Sequence, residues 1–176
     1  MLALALVATG CSSDDDNEAA TDTTEEGADT AGDDSGADTE DLEVDDCTLL
    51  TDDEVSRLAD EPLFVSEGGE SFLGCGWSFE DEAIDSFGIR SFREDTTVAE
   101  HAEELAPNNE VIEIEGVGDE AVGLMSEGEV NFLVARDGDL FVELVMTFLD
   151  VPPDSANFET AKELARTALE RLKDAA

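Results

Sequence analysis

The chain has 176 residues, and its 48 Asp or Glu against 8 Lys or Arg give a formal net charge of −40. This balance argues against nucleic-acid binding and against docking on anionic lipid headgroups, because both depend on clustered basic side chains. The length allows one domain with additional segments. There are three cysteines, and an odd number in an exported protein leaves one of them to be explained.

The first ten residues form an apolar segment that ends in the small residues Thr9 and Gly10. It is too short to span a bilayer, which takes about 20 apolar residues. It is typical of the apolar core of a secretory signal peptide, and residues 1–10 are predicted to be one. Such signals begin with positive charge, yet no Lys or Arg precedes Arg57, so we expect the true start codon to lie upstream.

The next residues resemble the lipobox of bacterial lipoproteins, in which a small residue precedes a cysteine. The matching segment is Val7-Ala8-Thr9-Gly10-Cys11. The resemblance implies that Cys11 receives a diacylglycerol thioether and becomes the mature N-terminus. The chain would then be anchored to the outer side of the cell membrane, and the odd cysteine would be explained. The alternative is a free cysteine in an unstructured N-terminus.

A strongly acidic segment, residues 11–46, is predicted to be a disordered linker. Residues 12–46 contain 16 Asp or Glu and no Lys or Arg, and their large apolar residues are Leu42 and Val44. Such a segment cannot bury enough apolar surface to offset its loss of chain entropy. We interpret it as a spacer of roughly 30–35 Å, the alternative being a binding segment for a basic partner.

Residues 47–176 are predicted to form one globular domain with three helices. Two of the helices begin with the Thr-x-x-Glu pattern of a capping box. The predicted helices run from the Thr51 cap to about Ala59, from the Thr97 cap to a point before Pro107, and onward from a cap at Asp154 or Ser155. The third helix has an apolar stripe at helical spacing, formed by Phe158, Ala161, Ala165, Ala168, Leu169 and Leu172.

Between these helices, apolar residues alternate with the period of two that is typical of strands. The alternating runs cover 73–79, 130–134 and 140–148, and further strand candidates are 84–92 and 111–114. Asp137-Gly138 separates two of the runs and predicts a hairpin. The order of helices and strands predicts an α+β fold, an antiparallel sheet with helices packed mainly on one face.

The second face of the predicted hairpin also carries apolar side chains. They are Leu133, Ala135, Phe141, Val145 and Leu149, mixed with polar residues. Either a helix covers this face or the face lines a groove. Leu133, Phe141, Val145 and Leu149 are therefore the candidate binding face.

The remaining cysteines and the single histidine offer little chemistry. Cys47 and Cys75 are expected to form a disulfide, because both would be exported to an oxidising compartment. The alternative, a redox or metal-binding thiol pair, lacks a Cys-x-x-Cys motif. His101 is predicted to be a solvated residue on the second helix, since one histidine does not make a zinc site by itself. No catalytic residue, metal site or cofactor is predicted.

A glycine-rich turn at residues 116–121 is predicted to be a tight connection between strands. A phosphate-binding loop would have a Lys and a following helix, whereas Asp119 and Glu120 follow the glycines here.

Three segments in this order resemble a family of small actinobacterial envelope lipoproteins of unknown function. They are Cys47-Thr48-Leu49-Leu50-Thr51-Asp52-Asp53-Glu54-Val55, Cys75-Gly76-Trp77 and Gly116-Val117-Gly118-Asp119-Glu120-Ala121. The domain is also distantly similar to LpqN-type lipoproteins and to the extracellular sensor domains of PknH-type kinases. The resemblance implies a binding or sensing role in the cell envelope, with no catalytic residues.

Three functions therefore remain open. The first is a membrane-anchored binding or sensing module for an unknown envelope ligand or protein. The second is a structural or assembly partner of another envelope protein, which would expose a large apolar patch. The third is a carboxylate-based hydrolase, which would have a carboxyl of raised pKa in a concave pocket.

Overall fold

The computed structural model describes residues 40–66, 74–80 and 86–176. The predicted signal peptide, Cys11, most of the predicted linker and the first residues of two predicted strands, at 73 and 84–85, lie outside these ranges. In the described part of the chain, no helix is long and apolar enough to cross a membrane.

Eight antiparallel strands of the described residues form one sheet. The strands are β1 (Glu40–Asp41), β2 (Leu63–Val65), β3 (Cys75–Phe79), β4 (Phe87–Arg93), β5 (Glu110–Glu113), β6 (Glu120–Ser126), β7 (Glu129–Asp137) and β8 (Leu140–Met146). The helices are α1 (Asp52–Val55), α2 (Val98–Leu105) and α3 (Ala156–Ala175), with short 3-10 turns at Asp46–Thr48 and Ser56–Leu58. The strand order is β2-β3-β4-β8-β7-β6-β5, and β1 also pairs with β4. The predicted α+β fold is confirmed.

The helices begin where their caps predict. Thr51 and Thr97 each accept a hydrogen bond from the backbone N–H three residues on, and Glu54 and Glu100 complete the two capping boxes. Ser155 caps α3. These side chains satisfy N–H groups that have no partner within the helix, which fixes each starting point.

Alternation along the strands divides the core into two clusters, one on each face of the sheet. The α3 face carries the larger cluster, in which Trp77, Leu133 and Leu144 are fully buried against α1 and α3. The α2 face carries a smaller cluster, whose members are Phe92, Val98, Ala102, Val122, Leu124, Val134 and Phe141. Two of the helices therefore cover one face, and α2 covers part of the other.

The register of the hairpin shows that the four residues of the predicted binding face do not lie on one face of the sheet. Leu133 pairs with Leu144, so Leu133 lies on the α3 face rather than beside Phe141. Leu149 also packs in the α3-face cluster. Phe141 lies on the α2 face, where it is fully buried. Of the four predicted residues, Val145 alone is partly exposed, because both faces of this hairpin are covered by packed side chains.

Residues before the predicted boundary at Cys47 also belong to the described fold. β1 pairs with the end of β4, and Leu42 and Val44 pack against the α3-face cluster. The boundary is therefore too late by at least the seven residues 40–46, because even two apolar side chains in an acidic segment can dock on an existing core.

Three strands, β1, β2 and β6, were not predicted. They are two, three and seven residues long, and the two shortest give too few residues to show a period. Residues 116–119 of the predicted connection lie between β5 and β6, whereas Glu120 and Ala121 are the first residues of β6. Gly118 has a φ of +58°, and a Cβ there would lie 2.2 Å from the Arg136 carbonyl oxygen, so this turn needs glycine.

Candidate functional site

The inward surface of α2 contains the single histidine of the chain. Val98, His101 and Ala102 are its buried residues, and Leu105 packs beside them. His101 is only 8% exposed, so the prediction of a solvated histidine is wrong. The spacing of these four residues is that of one helical stripe. This spacing was the signal in the sequence that placed His101 in the core.

Two buried carboxylates hold the two nitrogens of the His101 ring. Nδ1 lies 2.8 Å from Oε2 of Glu94, the residue that follows β4. Nε2 lies 3.3 Å from Oε2 of Glu143, which belongs to β8. Glu94 is 4% exposed and Glu143 is 1% exposed. We call these three residues the His101 cluster. Glu143 was visible in the sequence as a lone charge between the apolar residues Phe141 and Val145 of one strand face.

Aromatic rings and a guanidinium enclose this cluster. Phe92 and Phe141 stack with their centroids 5.2 Å apart, and the His101 ring lies 4.9 Å from Phe92. Arg90 lies over Phe92, 4.5 Å from the ring centroid, and its Nη2 is 3.5 Å from Glu143. The register pairs Arg90 with Glu143 and Phe92 with Phe141, so adjacent strands bring all four residues to the α2 face.

The surroundings of His101 act on its pKa in opposite directions. Burial of the ring by itself lowers the pKa, because it removes water from the charged form. The hydrogen bond to Glu143 and the negative charge of Glu94 outweigh this effect and raise the pKa above its ordinary value of 6.5. The folded state therefore favours the charged imidazolium.

This geometry binds the imidazole rather than presenting it to a substrate. Each nitrogen faces a carboxylate oxygen, so neither is directed at an open position. The two carboxylates also approach opposite sides of the ring and do not converge on one point. In the described ranges, no group of three or more His, Cys, Asp or Glu side chains is arranged to hold a metal ion.

The predicted Cys47–Cys75 disulfide is present, with the two Cα atoms 5.1 Å apart. It joins the segment before α1 to the start of β3. Asp46 strengthens the same junction, because its carboxylate accepts hydrogen bonds from the backbone N–H and the hydroxyl of Ser91. Burial raises the pKa of Asp46, although the bonds from Ser91 oppose the shift.

An ion pair between Arg171 and Glu54 joins α3 to α1. Arg171 donates two hydrogen bonds of 2.8 Å to the Glu54 carboxylate and another to the Leu49 carbonyl. The hydrogen bond from Arg171 lowers the pKa of Glu54 to about 2, against the weaker raising effect of burial. Glu54 therefore both caps α1 and fastens it to the last helix.

Some large apolar side chains remain exposed outside the covered faces. Phe148, after β8, is 72% exposed and has a φ of +61°, which is rare for a bulky residue. Val145 and Phe132 are cross-strand partners and are both partly exposed. Val111 on the edge strand β5 is 52% exposed.

These features define an α+β domain with a disulfide at its N-terminal junction and a buried histidine held by two carboxylates. The chain belongs to the family described as "protein of unknown function (DUF3558)", whose model matches residues 6–171. No curated protein and no solved structure matches the chain. The family assignment agrees with the resemblance to proteins of unknown function.

Proposed function

We propose that this protein is a membrane-anchored extracytoplasmic lipoprotein whose domain is a binding or sensing module of the cell envelope. Lipid on Cys11 would be the anchor, and the acidic segment that follows would hold the domain away from the membrane. The observation that carries this proposal is the lipobox-like segment at residues 7–11, followed by a segment, residues 12–46, with 16 Asp or Glu and no Lys or Arg. The Cys47–Cys75 disulfide supports export, because disulfides persist mainly in oxidising compartments.

The anchor is tested by fractionating cells that express the full chain. Cys11→Ala should move the protein from the membrane fraction to the soluble extracytoplasmic fraction and abolish labelling with a palmitate analogue. Ser12→Ala, the adjacent substitution, should leave both unchanged. Membrane association of the Cys11→Ala protein equal to that of the wild type would contradict the anchor.

The hydrogen bonds of the His101 cluster favour binding over catalysis as the function of the domain. General acid or base catalysis needs a side chain within hydrogen-bond reach of the reacting group. Glu94 and Glu143 already occupy both nitrogens of His101 inside the core. A binding site needs a shaped and partly apolar surface with a few polar groups.

We propose that the binding site lies around Val145, the one partly exposed residue of the predicted binding face, and its cross-strand partner Phe132. These side chains form a pair on adjacent strands of the α2 face, next to the part that α2 covers. Photo-crosslinking in cells tests this position. A crosslinker at residue 145 should give a discrete adduct that a crosslinker at residue 111, exposed on the edge strand, does not give. Identical adducts at both positions, or none at 145, would contradict the site.

Phe148 favours the second candidate, a structural or assembly partner of another envelope protein. An exposed phenylalanine with positive φ combines backbone strain with unburied apolar surface, and such strain tends to persist at functional positions. Co-purification of the full chain from the envelope tests this candidate. Loss of a co-purifying protein in Phe148→Asp, but not in Phe64→Asp at another exposed phenylalanine, would favour assembly.

A further inference from the structure

The contacts of His101 require two hydrogen-bond donors from one ring. Both neighbours of the ring nitrogens are carboxylate oxygens, and an ionised carboxylate only accepts hydrogen bonds. The charged imidazolium has two N–H donors, whereas the neutral ring has one donor and one acceptor. Loss of the proton therefore turns one of the two contacts from a hydrogen bond into a repulsion between lone pairs.

The same proton balances charge in the core. Glu94 and Glu143 are both buried, and the cationic groups beside them are His101 and Arg90. Without the proton on His101, two carboxylates share one neighbouring cation. Burial of an unpaired charge is strongly unfavourable, so the loss should weaken the contact of α2 with the sheet.

Other charged groups lie around α2 but belong to types that ordinarily keep their charge near neutral pH. Arg136, on β7, donates to the Thr96 carbonyl and to Glu120, and Glu120 also accepts from the Val98 N–H. The acids of the helix itself, Glu100, Glu103 and Glu104, are exposed. Among the Arg, Glu and His side chains around α2, the histidine is the one that ordinarily changes its charge between pH 5 and 8.

The helix is held to the sheet by fewer buried side chains than its counterpart on the other face. It buries three side chains against the smaller cluster, whereas α3 buries seven against the larger cluster. Elements with few buried contacts open locally at lower free energy than the rest of a domain. α2 can therefore separate from the sheet while the α3 face stays folded.

We propose that α2 is a pH-dependent cover, which the protonated His101 fastens to the sheet and which its deprotonation releases, uncovering Phe92 and Phe141. This inference rests on the contacts of the cluster and is independent of the proposed ligand binding.

The direction of the effect follows from the raised pKa of His101. A group whose pKa is higher in the closed state stabilises that state fully below its ordinary pKa. The contribution is lost as pH rises from about 6.5 through the pKa of the closed state. α2 should accordingly be closed in mildly acidic solution and loosened in mildly alkaline solution.

Hydrogen exchange of the full chain, followed by mass spectrometry from pH 5 to pH 9, tests this cover. After correction for intrinsic exchange rates, protection of the α2 amides should fall by up to about tenfold per pH unit above 6.5, until the closed-state pKa is passed. Protection of the α3 amides should exceed that of the α2 amides at every pH, because α2 opens while the α3 face stays folded. His101→Gln, which cannot titrate, should give an α2 profile that is flat with pH.

Equal protection of α2 and α3 in the wild type across the pH range, or an α2 profile that His101→Gln leaves unchanged, would overturn the proposal. If His101→Gln does not fold, Glu94→Gln replaces it. Removal of that carboxylate should move the loss of α2 protection to lower pH, and an unmoved profile would equally overturn the proposal.

Discussion

The two faces of the sheet are held by different physical means. The α3 face combines a large apolar cluster, a disulfide and the Glu54–Arg171 pair at its margin. The α2 face has a smaller apolar cluster with three buried ionisable side chains at its centre. The α3 face is therefore held mainly by contacts that do not titrate near neutral pH, whereas the α2 face depends on the proton of His101.

The largest effect is expected from deleting the histidine of the α2 face. His101→Ala leaves Glu94 and Glu143 buried without the cation between them, and breaking such an arrangement costs about 3–5 kcal/mol of unfolding free energy. Urea unfolding at pH 6 measures this cost. In a background of Glu94→Gln with Glu143→Gln the same substitution should cost much less, because no unpaired carboxylate remains. Equal costs in the two backgrounds would show that the ring acts by packing alone.

A slightly smaller effect is expected from opening the disulfide beside the α3 face. Cys47 and Cys75 are 28 residues apart, and the chain-entropy model gives about 3–4 kcal/mol for a loop of this size. The doubly substituted Cys47→Ala, Cys75→Ala protein should lose this amount equally at pH 6 and pH 8.5, since no titrating group is involved. Cys11→Ala is the control and should leave the urea midpoint unchanged. A loss of unfolding free energy that differs strongly between the two pH values would contradict the proposed difference between the two faces.

The smallest effect concerns Glu54, which links α1 to α3. Glu54→Gln should cost about 1–2 kcal/mol, because it removes a capping carboxylate and an ion pair that is screened by solvent at the exposed Arg171. The low pKa of Glu54, about 2, gives the opposite pH direction from His101. Its contribution is present above its ordinary pKa of 4.5 and is lost as pH falls towards 2.

The difference in urea midpoint between wild type and Glu54→Gln should therefore shrink from pH 5 to pH 3. A difference that stays constant over this range would mean that the carboxylate charge of Glu54 contributes nothing. Taken together, the two faces should weaken at opposite ends of the pH scale.

Local patterns in the sequence predicted much of the fold. The Thr51 and Thr97 capping boxes and the Asp137-Gly138 turn act through neighbouring residues, so their signals are complete within a few positions. The cysteine pair could be predicted because the sequence has three cysteines, which leave few possible pairings. β2 was too short to show the alternation of apolar residues that is typical of strands. β6 follows directly from a glycine-rich turn, so its first residues were assigned to the turn.

The candidate site was harder to predict because it depends on pairing between distant strands. His101, Glu94 and Glu143 are brought together by the register of β4 with β8 and by the docking of α2, none of which is fixed by local sequence. The assignment of Leu133 to the binding face failed for the same reason, since a shift of one residue in register exchanges the two faces. The buried stripe of α2 and the lone charge at Glu143 were available signals, but each is ambiguous without the other.

The most direct test of the account is an NMR titration of the His101 ring in the native full chain. His101 is the single histidine of the sequence, so its ring signals need no assignment. Between pH 5 and pH 9 we predict a pKa above 6.5, which Glu94→Gln should lower, with both ring nitrogens protonated on the acidic side of that pKa. A native pKa at or below 6.5 would contradict the claim that His101 is held as a cation between Glu94 and Glu143.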